Sequence, residues 1–490
     1  MFKKPTKRQF LIRRIILSSV ATLAVIIIAA AAILFMLGYR LDGNNGRLEQ
    51  GALLQFDSRP TSADVYIDGK NIGTRTATKQ TVVAGTHSIK MSKNGYQDWN
   101  RTLNITAGTL TWLDYALLVP NERPVQRVTS YPTLVGLTMS SDGKWALAQE
   151  KADIPSFHLV DLRSEEVKST AFSIPTSIYS DSETEDVTHS FSVMSWDSGS
   201  RYVLVKHLYR GQTEWLVVDT QNPASTINAT RLLSVEFKDL QFTGTSGKVL
   251  YGLTTDGAIR KVDLSAATIS RAFVTHVDSF NLYDNTMISY VGIDPSDATK
   301  QVAGVYRDGD ESAHVLRSVM STDTVLKIAT TRYFSDTYVA IAEGDTVTVL
   351  KGSLPGSTDQ DNKSLAPFAS LELSGVVSAL SFSPKGDFLL AQSGETFKSY
   401  EIEHKRADVG MISVSNGRSA STLKWLDVAH LWNDDNDTLT IRDFNGINVF
   451  AIMEVERGFS ASLSQNGRFF YAVGKNDKGY HLQRVKMILE

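Results

Sequence analysis

The hydrophobic pattern changes period once along this chain. Residues 15–37, IILSSVATLAVIIIAAAAILFML, form a run without charge, proline or amide side chain. About 20 apolar residues let a helix cross the hydrocarbon core of a bilayer. Ser18 and Ser19 interrupt the run, and a hydroxyl can bond back to a carbonyl one turn earlier. The run predicts an uncleaved transmembrane helix over 15–37. Two readings compete with it. A cleaved signal peptide has an apolar region of only about 7–15 residues, although the alanines at 29–32 offer a small-residue cleavage site. A buried helix of a soluble protein is the other. Residues 38–50, GYRLDGNNGRLEQ, have no apolar period and read as a spacer. Beyond them the pattern is alternation, the signature of strands with one buried face.

Residues 51–120 read as one compact β unit. LLQFDS at 53–58 alternates until Arg59-Pro60 breaks it, and Val65 and Ile67 then share a face. Asp68-Gly69-Lys70 supplies a hairpin turn, because glycine tolerates positive φ. His87, Ile89 and Met91 alternate with Ser88, Lys90 and Ser92 before the Asn94-Gly95 turn. Leu103, Ile105, Leu113, Tyr115 and Leu117 complete about six short strands, and Pro120 ends them. Such a unit is a small antiparallel sandwich.

Within it, Ser58-Arg59-Pro60, Val65-Tyr66-Ile67-Asp68-Gly69-Lys70 and Ile72-Gly73-Thr74 resemble the opening of a PEGA domain. Ala84-Gly85-Thr86-His87-Ser88-Ile89 and Asn94-Gly95-Tyr96 resemble its second half. The name-giving tetrapeptide is Val83-Ala84-Gly85-Thr86 here, and Arg75 stands where the family usually has proline. The resemblance implies an envelope-facing β-sandwich used as an adhesion or spacer module, with no catalytic residues to carry over.

Residues 121–133 read as a linker containing a short strand at 125–128, and from 134 onward the chain repeats. SDGKWALA at 141–148 returns as SGSRYVLV at 198–205, PKGDFLLA at 384–391 and QNGRFFYA at 465–472. Weaker copies near 247, 285, 336 and 428 bring the mean step to about 46 residues. A period of about 40–50 with four strands per unit indicates a β-propeller. The array resembles WD-repeat-like propellers. The last copy supplies three strands, and residues 125–128 are available as its fourth, closing the ring with eight blades. Degenerate copies at 285 and 336 leave seven open. The fold expected is therefore an all-β ectodomain: one N-terminal transmembrane helix, a PEGA-like sandwich at 51–120 and a propeller of seven or eight blades at 134–490.

Charge sets the orientation. Residues 1–14 carry Lys3, Lys4, Lys7, Arg8, Arg13 and Arg14 and no acid, and lysine and arginine mark the cytoplasmic side. The formal net charge is −3, so residues 38–490 carry −9. That balance argues against nucleic acid, whose binding rests on phosphate neutralisation. Cysteine is absent, which excludes disulfides, thiolate metal sites and cysteine nucleophiles. The expected place is the cell membrane, with a cytoplasmic N-terminus and the bulk extracytoplasmic. A 14-residue inner tail has no room for an output domain, so signalling inward would need a partner protein.

Candidate chemistry is sparse. The serine elbow, the phosphate loop and the dinucleotide fingerprint are missing. Asn433, Asp435 and Asp437 offer oxygens at alternate positions, but the sixth position lacks glycine and Phe444 stands at the twelfth. They are weak metal candidates that read first as a blade turn. The acidic run Asp181, Glu183, Glu185 and Asp186 reads as a solvated loop, and the polar stretch 353–366 as an insertion. Trp145, Trp196, Trp425 and Trp432 occupy strand positions expected to face neighbouring blades; Trp99 and Trp112 lie in the small unit. No cofactor is implied. The expected partners are the lipid bilayer, through residues 15–37, and an envelope protein or glycan recognised by a propeller face. The expected role is non-enzymatic binding or scaffolding. An envelope polysaccharide or peptide hydrolase or lyase, with paired carboxylates at the propeller channel, is the alternative.

Overall fold

A computed structural model of the chain describes residues 7–36, 39–41, 48–184, 186–321, 325–354, 364–415 and 417–489. Leu37, Glu185, most of the 38–50 spacer and residues 355–363 of the expected insertion lie outside them, as does the tail up to Thr6. The chain divides into two compact units, Met1–Glu122 and Arg123–Glu490.

The first unit begins with a helix, Lys7–Met36. It starts earlier than the apolar run because Arg13 and Arg14 are good helix formers and nothing breaks the helix before them. Its stretch Leu11–Leu34 is long and apolar enough to cross a membrane and is nowhere buried. Ile15, Ile16, Leu17 and Val25 point in different directions all round the axis, and each is more than half exposed. A helix apolar on every side is stable only inside a core or a bilayer, and here no core covers it.

Two four-stranded sheets follow. One joins Tyr39–Leu41, Leu48–Arg59, Thr78–Val83 and Leu110–Leu117; the other joins Lys70–Arg75, Asp64–Ile67, Gly85–Ser92 and Trp99–Ile105. Leu54, Phe56, Val65, Ile89, Met91 and Trp99 are fully buried between them. Two features depart from the sequence reading. The pair Leu48–Arg59 and Leu110–Leu117 is parallel. Lys70–Arg75 and Thr78–Val83 are additional strands; neither buries a residue fully, so neither carries an apolar alternation.

The Asp68-Gly69 hairpin is pinned by a charge pair. The Asp68 carboxylate accepts from the Ser88 N–H at 2.9 Å and lies 2.7 Å from His87 Nδ1, while His87 Nε2 faces the Val83 carbonyl at 2.9 Å. Both ring nitrogens meet acceptors, an arrangement only the imidazolium satisfies. Burial disfavours that charge, but Asp68 and the Val83 carbonyl outweigh it and hold the His87 pKa above its ordinary value. The Ser88 N–H first, then His87, hold Asp68 below its own.

The second unit is a closed ring. Among the described residues it contains eight four-stranded antiparallel sheets, each formed from consecutive strands except the last. Blades 1 to 8 span 136–173, 189–228, 237–269, 277–320, 326–372, 379–411, 424–454 and 462–486. Blade 8 takes its fourth strand from Gln126–Tyr131, which pairs with Gly479–Lys486. Seven of the eight turn positions read from the repeat, including the degenerate one near 285, fall between the first and second strands of successive blades. The one near 336 falls on Asp336, the first residue of its blade's second strand. First strands lie against one another between blades 1 and 2, 4 and 5, and 5 and 6, which places them on the inner wall. Gly143 turns at φ +66, and a Cβ there would stand 2.3 Å from the Leu463 carbonyl of blade 8. That turn tolerates no side chain.

Blades are joined by amides as well as by apolar contact. Gln149 Nε2 donates to the Phe191 carbonyl, and Gln241 Nε2 to that of Phe280. Gln392 Nε2 donates to the Ser421 carbonyl at 2.9 Å, and its oxygen accepts from the Leu423 N–H at 2.8 Å. Each of these glutamines satisfies backbone that the next blade's inner region would otherwise bury unpaired.

Two outcomes follow. Gln392→Leu leaves a buried N–H and carbonyl unpaired and lowers stability by about 1–3 kcal/mol, measured as a drop in urea midpoint at unchanged slope. The raised His87 pKa stabilises the sandwich fully below pH 6.5, and the contribution is lost as pH rises through the folded value. The Asp68 share is present above its unfolded value and lost as pH falls through its depressed one. By NMR, His87 titrates above 6.5 in the native chain and at a lower pH in Asp68→Asn, where the Val83 carbonyl still opposes burial but the Asp68 charge is gone.

Candidate functional site

Antiparallel order gives the ring two rims. One carries the turns between first and second and between third and fourth strands. The other carries the second-to-third turns and the connections between blades. The first-to-second turns hold five carboxylates and five lysines or arginines, whereas the second-to-third turns hold nine carboxylates against three. Asp153, Asp256, Glu395 and Asp477 are exposed members of that set. The described third-to-fourth turns on the first rim hold six carboxylates against two cations, so both rims are net acidic and the excess is largest in the second-to-third turns. Rigidly held turns of this kind are where propellers can present recognition groups.

A cleft of ≈ 810 Å³ opens between blades 7 and 8 on this side, bordered by Arg127, Asp437, Glu454, Lys475, Asp477 and His481. Arg127 comes from the closing strand, so the cleft exists only in the closed ring. Its wall is tight at Gly474, where a Cβ would lie 2.6 Å from His481 Nε2 and 2.5 Å from the Gln483 side-chain oxygen. Burial, with Arg127 adding to it, lowers the His481 pKa despite the opposing bond to Gln483. A hydrophilic lining of this volume suits a polar ligand, since sites for apolar ligands of about 300–1,000 Å³ are lined mostly by hydrophobic side chains.

The weak metal candidates border the same region. Asn433 Oδ1 accepts from Arg442 and its amide donates to Asp435. Asp435 accepts from the backbone and hydroxyl of Ser421 and pairs with Arg457 at 3.1 Å. Asp437 pairs with Arg418 at 3.0 Å. The first two are buried and the third exposed, and these oxygens are committed to donors that stitch blade 7 to its entering loop. Among the described residues, no group of three or more histidines and carboxylates is arranged to hold a metal ion.

Blade 2 holds a polar chain that sequence spacing did not reveal. Glu214 Oε2 lies 3.1 Å from His207 Nδ1, and His207 Nε2 lies 2.9 Å from His189 Nδ1. With Glu214 ionised, His207 donates to it and accepts from His189, which leaves the lone pair of His189 on Nε2 at the half-buried end. The acidic loop packs here: Ser180 donates its N–H and hydroxyl to Glu214, and Tyr179 sits edge-on to both imidazoles. Asp181 of that loop pairs with Arg210 at 2.7 Å. Burial would raise the Glu214 pKa, but His207 and Ser180 hold it down at about 2. The register was recoverable, because the two-residue Arg210-Gly211 turn sets His207 opposite Glu214.

The tryptophans divide. Trp425 Nε1 donates to Ser381 Oγ of blade 6, and Trp196 packs into the cluster shared by blades 1 and 2. Trp145 and Trp432 lie instead under cations of their own blades, Arg163 and Lys424. Trp99 is fully buried, whereas Trp112 is 40% exposed. Among the described residues, the first strands carry two carboxylates, Asp239 in blade 3 and Asp278 in blade 4. Burial raises the Asp239 pKa against the opposing bond from Gln241.

Residues 52–119 match the PEGA domain family model. No curated protein matches the chain. Solved structures that resemble it include the Myceliophteria thermophila Cps50 (Swd1) β-propeller domain, at 8% identity and TM-score 0.41 over 74% of this chain and 99% of that one. An oligogalacturonate lyase in complex with manganese follows at 11% and 0.41, over 73% and 98%. The complex of KlAtg21 with the coiled-coil of AgAtg16 stands at 13% and 0.42, over 72% and 99%. At these scores nothing of their activities transfers to this chain.

The Glu214 network makes an acid prediction. A carboxyl held at about 2 contributes stability that is present above its unfolded value near 4.5 and is lost as pH falls toward 2. Glu214→Gln therefore flattens the pH dependence of Tm between those limits, measured by thermal melts.

Proposed function

We propose that this chain, with its PEGA domain at residues 52–119, is a membrane-anchored extracytoplasmic scaffold of the cell envelope whose propeller recognises a protein or glycan through its acidic second-to-third turns. The anchor is the apolar helix, and the six cations ahead of residue 15 favour a cytoplasmic N-terminus. The observation that carries the recognition reading is the carboxylate excess of the second-to-third turns of one closed ring: nine carboxylates against three cations, where the first-to-second turns are at parity. Complementary charge speeds encounter and selects partners, so a partner with basic or amino groups is favoured over an acidic one. The neighbouring polar cleft adds donors and acceptors suited to sugar hydroxyls or peptide backbone.

Protease added to intact cells is expected to remove the ring while a cytosolic marker survives; protection of the ring would overturn the orientation. With detergent-solubilised full-length protein as bait, envelope material retained at low salt is released as salt rises. Retention is lost in Asp153→Lys/Glu395→Lys/Asp477→Lys, whose melting temperature stays at the native value. Unchanged, salt-independent retention by that variant would remove the second-to-third turns from the reading.

A further inference from the structure

The outer face of the first sheet in the Met1–Glu122 unit has an apolar end. Strand register defines that face. Gly51 lies opposite Val83, Leu53 lies opposite Thr81 and beside Leu110, and Gln55 lies opposite Lys79 and beside Trp112. The intervening residues Ala52, Leu54 and Phe56 point into the core. Val83, Leu110 and Trp112 are 52%, 41% and 40% exposed, and Leu53 is half-buried among them. A solvated sheet face is ordinarily polar. Here Thr81, Gln55 and Lys79 are interspersed with the apolar residues, and the charged pair Asp57 and Asp114 stands roughly 14 Å beyond Leu53 at 3.4 Å per residue.

The tether runs to the apolar end. Tyr39–Leu41 pairs with Leu48–Gln50 in this same sheet, and the long helix ends at Met36. Two residues separate helix from sheet, a reach of roughly 11 Å. A sheet held that close to a membrane span stands within the headgroup region or at its border. Tryptophan favours that zone, with an apolar ring and a polar N–H. Lys79, in the same row as Trp112 and exposed, is placed for lipid phosphates.

We propose that this face, centred on Leu53, Val83, Leu110 and Trp112, lies on the surface of the phospholipid bilayer crossed by the helix, with Asp57 and Asp114 turned toward water. The proposal rests on the reading of the helix as a membrane span. It makes the small sandwich a lipid-seated base.

The cysteine-free sequence permits single nitroxide labels on the full chain reconstituted in phosphatidylcholine–phosphatidylglycerol vesicles. Labels go at Leu110→Cys and Thr81→Cys on this face, at Asn104→Cys on the opposite sheet, and at Val25→Cys in the helix. Collision with oxygen and with a water-soluble nickel chelate is read by power saturation. The expected result is several-fold lower nickel collision, with oxygen access retained, at 110 and 81 than at 104. Equal nickel collision at 110, 81 and 104 would overturn the proposal by placing the face in water. Exclusion of both reagents at 110 and 81 would overturn it in favour of a protein or a second copy. A Val25→Cys label in water would refute the span itself, and so separates failure of that reading from failure of this one.

Discussion

Everything in the ring depends on the pairing of Gln126–Tyr131 with Gly479–Lys486. Arg484 Nε reaches Gln126 across 358 residues of sequence at 3.2 Å. Closing a flexible loop of that length costs on the order of 5 kcal/mol, against about 3 for a loop of ten times fewer residues. A handful of backbone bonds at about 1 kcal/mol each only offsets that cost. The surplus comes from side chains: Tyr131 and Leu134 join Leu137 and Ala146 of blade 1 and Tyr471, Val473 and Leu482 of blade 8 in one buried cluster. The seam is a core as well as a zipper. It also builds the cleft, since Arg127 reaches it only from the closing strand.

The parts of the fold that could be read from sequence are those whose residues are buried on alternate positions or constrained in a turn. Second strands such as Trp145–Gln149 and Phe388–Ser393 are nearly all buried, and the small-polar-glycine turns before them need conformations few residues supply. Hence the repeat was visible even where two copies had degenerated. Fourth strands gave no such signal. Lys168–Ser173 has no buried residue and Thr268–Ile269 is two residues long, because the outermost strand of a blade has water on one edge and needs little apolar content. The same reason hid Lys70–Arg75 in the sandwich.

The candidate site was legible only as composition. Net negative charge beyond the helix is in the sequence, but its excess in the second-to-third turns appears once the turns are sorted by which strands they join. Asp435 shows the limit of motif spacing: alternate oxygens matched a cation loop, whereas the fold directs them to Ser421 and Arg457. Conversely, Glu214, His207 and His189 match no motif, because two tight hairpin registers, and not linear spacing, bring them into line.

Sheet register also explains why an apolar surface went unread beside an obvious apolar helix. Alternation identifies what a strand hides, and in Leu48–Arg59 the hidden set is Ala52, Leu54 and Phe56. The opposite set acquires meaning only when its neighbours across the sheet are known. Leu53 alone is an unremarkable half-buried leucine; Leu53 between Leu110 and the Thr81–Val83 row is part of a patch. One partner strand is polar enough to escape prediction, and the other pairs in parallel after more than fifty intervening residues. A short tether then gives the patch a solvent to face, since a sheet two residues from a helix end cannot move far from whatever that helix occupies. The physical environment of this face is thus set by chain connectivity, and its residue types agree with that environment.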